Sequence, residues 1–127
     1  MPRASDALAA LAALMGAGGV ALAAAAVHAD GGELANTASL FLILHAAALT
    51  ALSAHARGGD GSQRLLAAGF ALAAGAILFG ADLTARAFLG ARLFPFAAPI
   101  GGSLMILSWL AVAIVFAFGA PAKRAPK

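Results

Sequence analysis

The chain has 127 residues, of which only five are acidic, eight are basic and three are histidines. The few ionisable groups that fall inside apolar stretches are therefore where chemistry is to be sought. Asp82 interrupts a run of Ala, Gly, Leu and Phe, and Arg86 follows four residues later on the same helical face. His45 stands in the middle of another apolar run, His28 closes a third beside Asp30 and Glu33, and Trp109 lies deep in a fourth. A charged side chain costs about 2.5–3.5 kcal/mol near the centre of a bilayer on insertion scales, so each of these residues needs a partner or a task.

Acid before base at i,i+4 is the favourable order on a helix, which predicts a self-neutralising Asp82–Arg86 pair with Arg86 snorkelling to the interface. The chemical alternative is a proton-relay or cation site at Asp82, or contact of the pair with a partner subunit. Asp82 lies about 10 Å, and His45 about 13 Å, from the same membrane surface by helical rise, depths at which the two can meet as a relay or metal pair. The plainer expectation is a histidine hydrogen-bonded across helices to Ser, Thr or a carbonyl. Trp109 sits mid-helix rather than in an interfacial belt, so its N–H is expected to bond within the bundle or to face a partner.

Other chemistries find less support. A three-ligand metal site would need His28, His45 and Asp82 to converge, and His28, His45 and His55 share no depth suited to holding a haem. Cysteine is absent, which removes disulfides and thiolate ligands. No HExxH, GxSxG or phosphate-binding glycine loop occurs, and Ser39, Ser53, Ser103 and Ser108 lack a His/Asp context. No enzyme activity, cofactor or metal is expected. The net charge of +3 comes from single basic residues and a short tail, with no basic stripe or interleaved aromatics, so nucleic acid is not an expected partner.

The elements that must position these residues are written in the composition. Apolar residues make up 63% of the chain and charged ones 10%, with a mean hydropathy of +0.97. Soluble domains have about 45–50% and about 25%. Four stretches reach the roughly 20 residues that cross a hydrocarbon core of about 30 Å: about 7–27, 36–56, 64–89 and 99–118. Period-two alternation is missing, and backbone in lipid must satisfy its own hydrogen bonds, so the expected fold is an all-α, four-transmembrane-helix bundle forming one domain over 1–127. Asp30-Gly31-Gly32 separates the first two helices and Gly58-Gly59-Asp60-Gly61-Ser62 the next two, with Ser62 as a candidate cap. Pro95 and Pro99 bracket the last connection, and Pro99 suits a first helical turn; Gly119 and Pro121 end the fourth helix. The first segment has features of a signal peptide, yet is expected to remain as a helix.

Arg3, Arg57, Arg64, Lys123, Arg124 and Lys127 share one side of this topology, against Arg86 and Arg92 on the other. The positive-inside rule then predicts both termini in the cytoplasm. Small residues let helices approach closely, which makes Gly16, Gly19, Gly101 and Gly102 the candidate packing positions. No internal repeat supports a transporter of inverted halves.

Several stretches resemble one family. Leu14-Met15-Gly16-Ala17-Gly18-Gly19 leading to Ala26-Val27-His28-Ala29 is similar to its first helix, Leu44-His45-Ala46-Ala47-Ala48-Leu49 to its second, and Ile77-Leu78-Phe79-Gly80 through Leu89-Gly90 to its third. Ala98-Pro99-Ile100-Gly101-Gly102 followed by Ser108-Trp109-Leu110 is similar to its most distinctive signature, Thr-Pro-Ile-Gly-Gly and then Gly-Trp. The family is the YgdD-like group of small inner-membrane proteins, domain of unknown function family 423, and the resemblance spans roughly Leu11 to Val115. It implies four helices in a bacterial inner membrane and brings no established activity. The sequence departs from the pattern at Ala98, at Ser108 and at Asp82, where the family often has a Ser-Gly-Ser-Leu stretch.

Two functions are therefore expected. The first is a non-catalytic, multi-pass inner-membrane protein, embedded in the lipid bilayer, that packs with itself or with other membrane-protein subunits as an accessory or structural component. The alternative is a small transporter or proton/cation-conducting protein that uses Asp82 and His45.

Overall fold

The computed structural model describes residues 1, 3–58 and 62–119. Four helices follow one another: α1 (Ala4–His28), α2 (Gly32–Ala56), α3 (Ser62–Leu89) and α4 (Ala97–Phe118). They contain 25, 25, 28 and 22 residues. At a rise of about 1.5 Å per residue all four exceed a hydrocarbon core of about 30 Å. All four are long and apolar enough to cross a membrane.

Each helix starts earlier than its apolar run. α2 begins at Gly32 rather than at 36, because Gly32 and Glu33 extend the helix into the polar interface instead of preceding it. α4 begins at Ala97, which places Pro99 at the third helical position; the first N–H groups of a helix lack an internal partner, so the missing proline N–H breaks nothing. Gly90, at φ 68°, ends α3 in the left-handed conformation that glycine adopts without a Cβ penalty. α4 ends at Phe118 with Gly119 extended after it. The expected Gly59-Asp60-Gly61 turn, Pro121 and the basic tail fall outside the described residues.

The helices do not form a square. α1 packs on α2, α2 on α3 and α3 on α4, while α1 and α4 have no Cα atoms within 8 Å of each other. Leu8, Leu49, Leu72, Ala73, Ala76, Met105 and Val112 belong to one buried cluster that runs through the middle. A smaller one joins Ala38, Leu83 and Ala98 near the α1–α2 and α3–α4 loops, an end called the loop end below.

Glycines set the tightest approaches. A Cβ on Gly101 would lie 2.7 Å from the Phe79 backbone nitrogen and 2.8 Å from the Gly75 carbonyl oxygen. One on Gly75 would lie 2.9 Å from the Gly101 oxygen. α3 and α4 thus meet backbone to backbone. Gly19 makes the corresponding seam between α1 and α2, where a Cβ would lie 2.7 Å from Ile43 Cγ1 and where Ser39 Oγ donates to the Gly19 carbonyl at 2.8 Å. Gly16 and Gly102 are looser: their nearest neighbours would be Ala46 Cβ at 3.6 Å and Phe79 Cδ2 at 4.0 Å. At the opposite end from the loops, Arg57 Nη2 donates to Asp6 Oδ1 at 2.8 Å and ties the end of α2 to the start of α1.

Candidate functional site

His45 and Asp82, the two ionisable groups expected to meet, serve different parts of the molecule. With α2 starting at Gly32, His45 is thirteen residues from its N-terminal end, about 20 Å deep rather than 13 Å. Asp82 is seven residues from the end of α3, about 10 Å deep. The late start assigned to α2 made the two depths look alike. Among the described residues no group of three or more His, Cys, Asp or Glu side chains is placed to hold a metal ion.

His45 is 8% exposed, and both of its ring nitrogens are engaged. Nδ1 lies 2.7 Å from the Phe41 carbonyl oxygen, one turn earlier on α2. Trp109 Nε1–H on α4 donates to Nε2 at 3.3 Å. A carbonyl can only accept and an indole N–H can only donate, so this network assigns the proton to Nδ1 and the lone pair to Nε2. Phe41 stacks on the His45 ring at a centroid distance of 5.9 Å and leans on Phe79 at 4.7 Å. This contact bridges α2 and α4, which have no Cα atoms within 8 Å of each other; His55 and Phe116 add a second bridge at 5.0 Å. Trp109 is twelve residues into α4, at nearly the same depth as His45. Two amphipathic rings reach across a gap that the backbones leave open.

Asp82 is 1% exposed. The expected Asp82–Arg86 ion pair is absent: Arg57–Asp6 is the one salt bridge among the described residues. Asp82 Oδ1 instead accepts the backbone N–H of Leu93 at 2.9 Å. Arg86 lies one turn later on the same face, within reach of an i,i+4 pair, yet makes no salt bridge to the carboxylate. The α3–α4 loop meanwhile folds back over the end of α3 and brings a backbone donor closer. That loop holds Phe96 at φ 67°, a conformation that bulky L-residues seldom adopt, and closes with bonds from Ala97 N to Phe94 O and from Ile100 N to Phe96 O. Asp82 is the side chain that fastens it.

Beside Asp82 a groove of about 620 Å³ opens at the loop end. Its walls include Leu34 of α2, Phe79, Asp82 and Arg86 of α3, Arg92 of the loop, and Gly102, Ser103 and Ile106 of α4. Neither arginine is in a salt bridge among the described residues. His28 is exposed at the end of α1 and makes no salt bridge with any described carboxylate. Sequence reasoning missed Arg92 and the groove. The signal available was a second arginine beside the short loop that follows Arg86. Buried Ser108 Oγ, on the α4 face next to Trp109, has no hydrogen-bond partner among the described residues.

These features define a small multi-pass membrane protein built as an all-α four-helix bundle, with its intramembrane polar groups on α2, α3 and α4. The chain belongs to the family described as protein of unknown function (DUF423), which it matches over residues 11–102. The match takes in His45, Asp82, Arg86 and the Gly75–Gly101 seam and stops before Trp109. No solved structure matches the chain.

Proposed function

We propose that this protein is a non-catalytic component of the bacterial inner membrane, with both termini in the cytoplasm. In this reading it works by packing against copies of itself or, as an accessory subunit, within a larger membrane complex. The observation that carries the reading is that the polar groups inside the bundle already hold the bundle together. His45 joins α2 to α4 through Trp109, and Asp82 holds the α3–α4 loop through Leu93. A further support is the outer surface of α4, which exposes Ile106, Leu107, Leu110, Ile114 and Phe116. Both α1 and α4 keep most of their span outside the bundle, as helices do when lipid or another protein covers them. The orientation rests on Arg3, Arg57 and Arg64 at one end, reinforced by the basic tail, against Arg86 and Arg92 at the other.

Conduction by a His45–Asp82 relay would need a carrier across the roughly 10 Å that separates the two depths. Phe41 stacks on the His45 ring and packs against Phe79, and no hydrogen bond joins His45 to Asp82 among the described residues. Gentle native purification of the full chain from its membrane, followed by mass spectrometry, tests the proposal. A stoichiometric partner or a defined homo-oligomer is the expected result. A protein recovered only as a monomer with lipid would sink it. Proton or cation flux in vesicles that Asp82→Asn abolishes would favour the conducting alternative.

A further inference from the structure

The groove at the loop end carries more positive charge than the fold uses. Of its three charged walls, Asp82 has a bonded oxygen, whereas Arg86 and Arg92 make no salt bridge among the described residues, leaving one positive charge in excess. An unpaired guanidinium presents a planar fork of donors suited to a phosphate or carboxylate.

Depth narrows the choice of anion. The 28 residues of α3 span about 42 Å, so a centred hydrocarbon core of about 30 Å leaves about 6 Å, or four residues, outside at each end. Arg86 is the first of the last four residues of α3 and enters the headgroup layer there; Arg92 lies in the loop beyond it. Asp82 stays one turn deeper. Below the arginines the walls turn apolar, with Phe79, Leu83 and Ile106, while Leu34, the third residue of α2, lines the rim. The loop at the mouth exposes Leu93, Phe94 and Phe96, side chains that belong against a bilayer rather than in water. A volume of about 620 Å³ is within the range of small-molecule sites, about 300–1,000 Å³.

The geometry points to an anionic phospholipid as the occupant, its phosphodiester between Arg86 and Arg92 and the start of an acyl chain along Leu34 and Ile106. The site is a selective headgroup clamp on the leaflet that faces the loops. It requires no protein partner, so it stands or falls separately from the packing role proposed above. Asp82 acts as a positioning residue: by holding Leu93 it places Arg92, one residue earlier, over the groove. Gly102 leaves the floor open, because the nearest atom to a Cβ there would be Phe79 Cδ2 at 4.0 Å.

The test is native mass spectrometry of the purified full chain in mild detergent, titrated with short-chain phosphatidylglycerol, with phosphatidylcholine and with inorganic phosphate. The expected result is retention of phosphatidylglycerol at a concentration at least about tenfold lower than phosphatidylcholine, because both lipids offer a phosphodiester but only phosphatidylcholine brings a choline cation into a groove that already holds an excess positive charge. Inorganic phosphate should neither bind detectably nor displace the lipid. The double variant Arg86→Gln/Arg92→Gln should lose the preference. Gly102→Leu, which fills the groove and leaves both arginines in place, should lose it too and serves as the deciding variant if the double variant does not fold. Equal retention of the two lipids, an unchanged preference in the folded variants, or displacement by inorganic phosphate would each overturn the proposal.

Discussion

The middle of the bundle and its loop end treat a buried polar side chain in different ways. At the middle, His45 has a partner on each nitrogen and aromatic rings around it, so the site is closed. At the loop end, Asp82 is as well buried but has its bonded partner in a loop, and it borders a groove with two arginines that form no salt bridge among the described residues. The cause is depth. In the hydrocarbon centre a polar atom without a partner has no water to turn to, so the fold supplies both partners of His45 from within, with the Ser108 hydroxyl left as the exception. One or two turns from the interface, lipid headgroups and water can complete what the protein leaves open. The proposed lipid site therefore falls at the loop end, while His45 and Trp109 in the middle bond each other.

Substitutions at Gly101, Asp82, Trp109 and Ser108 break or sharpen this contrast. The largest effect is expected for Gly101→Leu. It drives a side chain into the backbone of Phe79 and Gly75 and so disturbs the seam that supports both regions, at a cost of about 3 kcal/mol. Reversible unfolding in mixed detergent should show it as the most destabilised variant, and a wild-type transition would mean that the seam is looser than the backbone distances indicate. Next comes Asp82→Ala, which leaves the Leu93 N–H unpaired and a bulky residue in left-handed backbone without its tether, for a loss of about 1–3 kcal/mol. Asp82→Asn keeps an acceptor for Leu93 and should fold nearly as well as wild type. By removing the one negative charge in the groove, it should also raise the phosphatidylglycerol preference a few-fold. Destabilisation of the Asn variant to the level of the Ala variant would show that the charge, not the acceptor, matters at this position.

Trp109→Phe tests the closed site. It keeps the ring and deletes the donor to His45, and interhelical hydrogen bonds in membranes are worth about 0.6 kcal/mol on average and up to about 1.7. A loss of about 1 kcal/mol is expected, and combining it with His45→Phe should cost less than the two single losses added together. Strict additivity would mean that the 3.3 Å bond contributes nothing. Ser108→Ala should have the smallest effect, and in the opposite direction. It removes a buried hydroxyl that has no partner among the described residues, so thermal unfolding should shift upward, and a downward shift would show that the hydroxyl is bonded after all.

The four helices, their order and the glycine-rich character of their seams were legible in the sequence, since each rests on a contiguous run of residues. The starts of α2 and α4 were less so, because Gly32, Glu33 and Ala97 are helical beyond the apolar stretch that announces the span. That four-residue difference at α2 is what separated His45 from Asp82. The i,i+4 rule placed Arg86 on the right face of α3 but could not foresee that a loop amide eleven residues from Asp82 would take the carboxylate first.

Hydrophobicity and helix length are local quantities, so the residues alone determined that this chain is a bundle of four helices fit to cross a membrane. Which polar groups find each other is a matter of long-range packing. His45 and Trp109 are 64 residues apart and meet because α2 and α4 hold them at one depth across a gap. Arg86 and Arg92 line one groove because the α3–α4 loop doubles back onto Asp82. Only the tertiary structure could decide that one buried polar side chain ties two helices together and the other fastens a loop beside a groove.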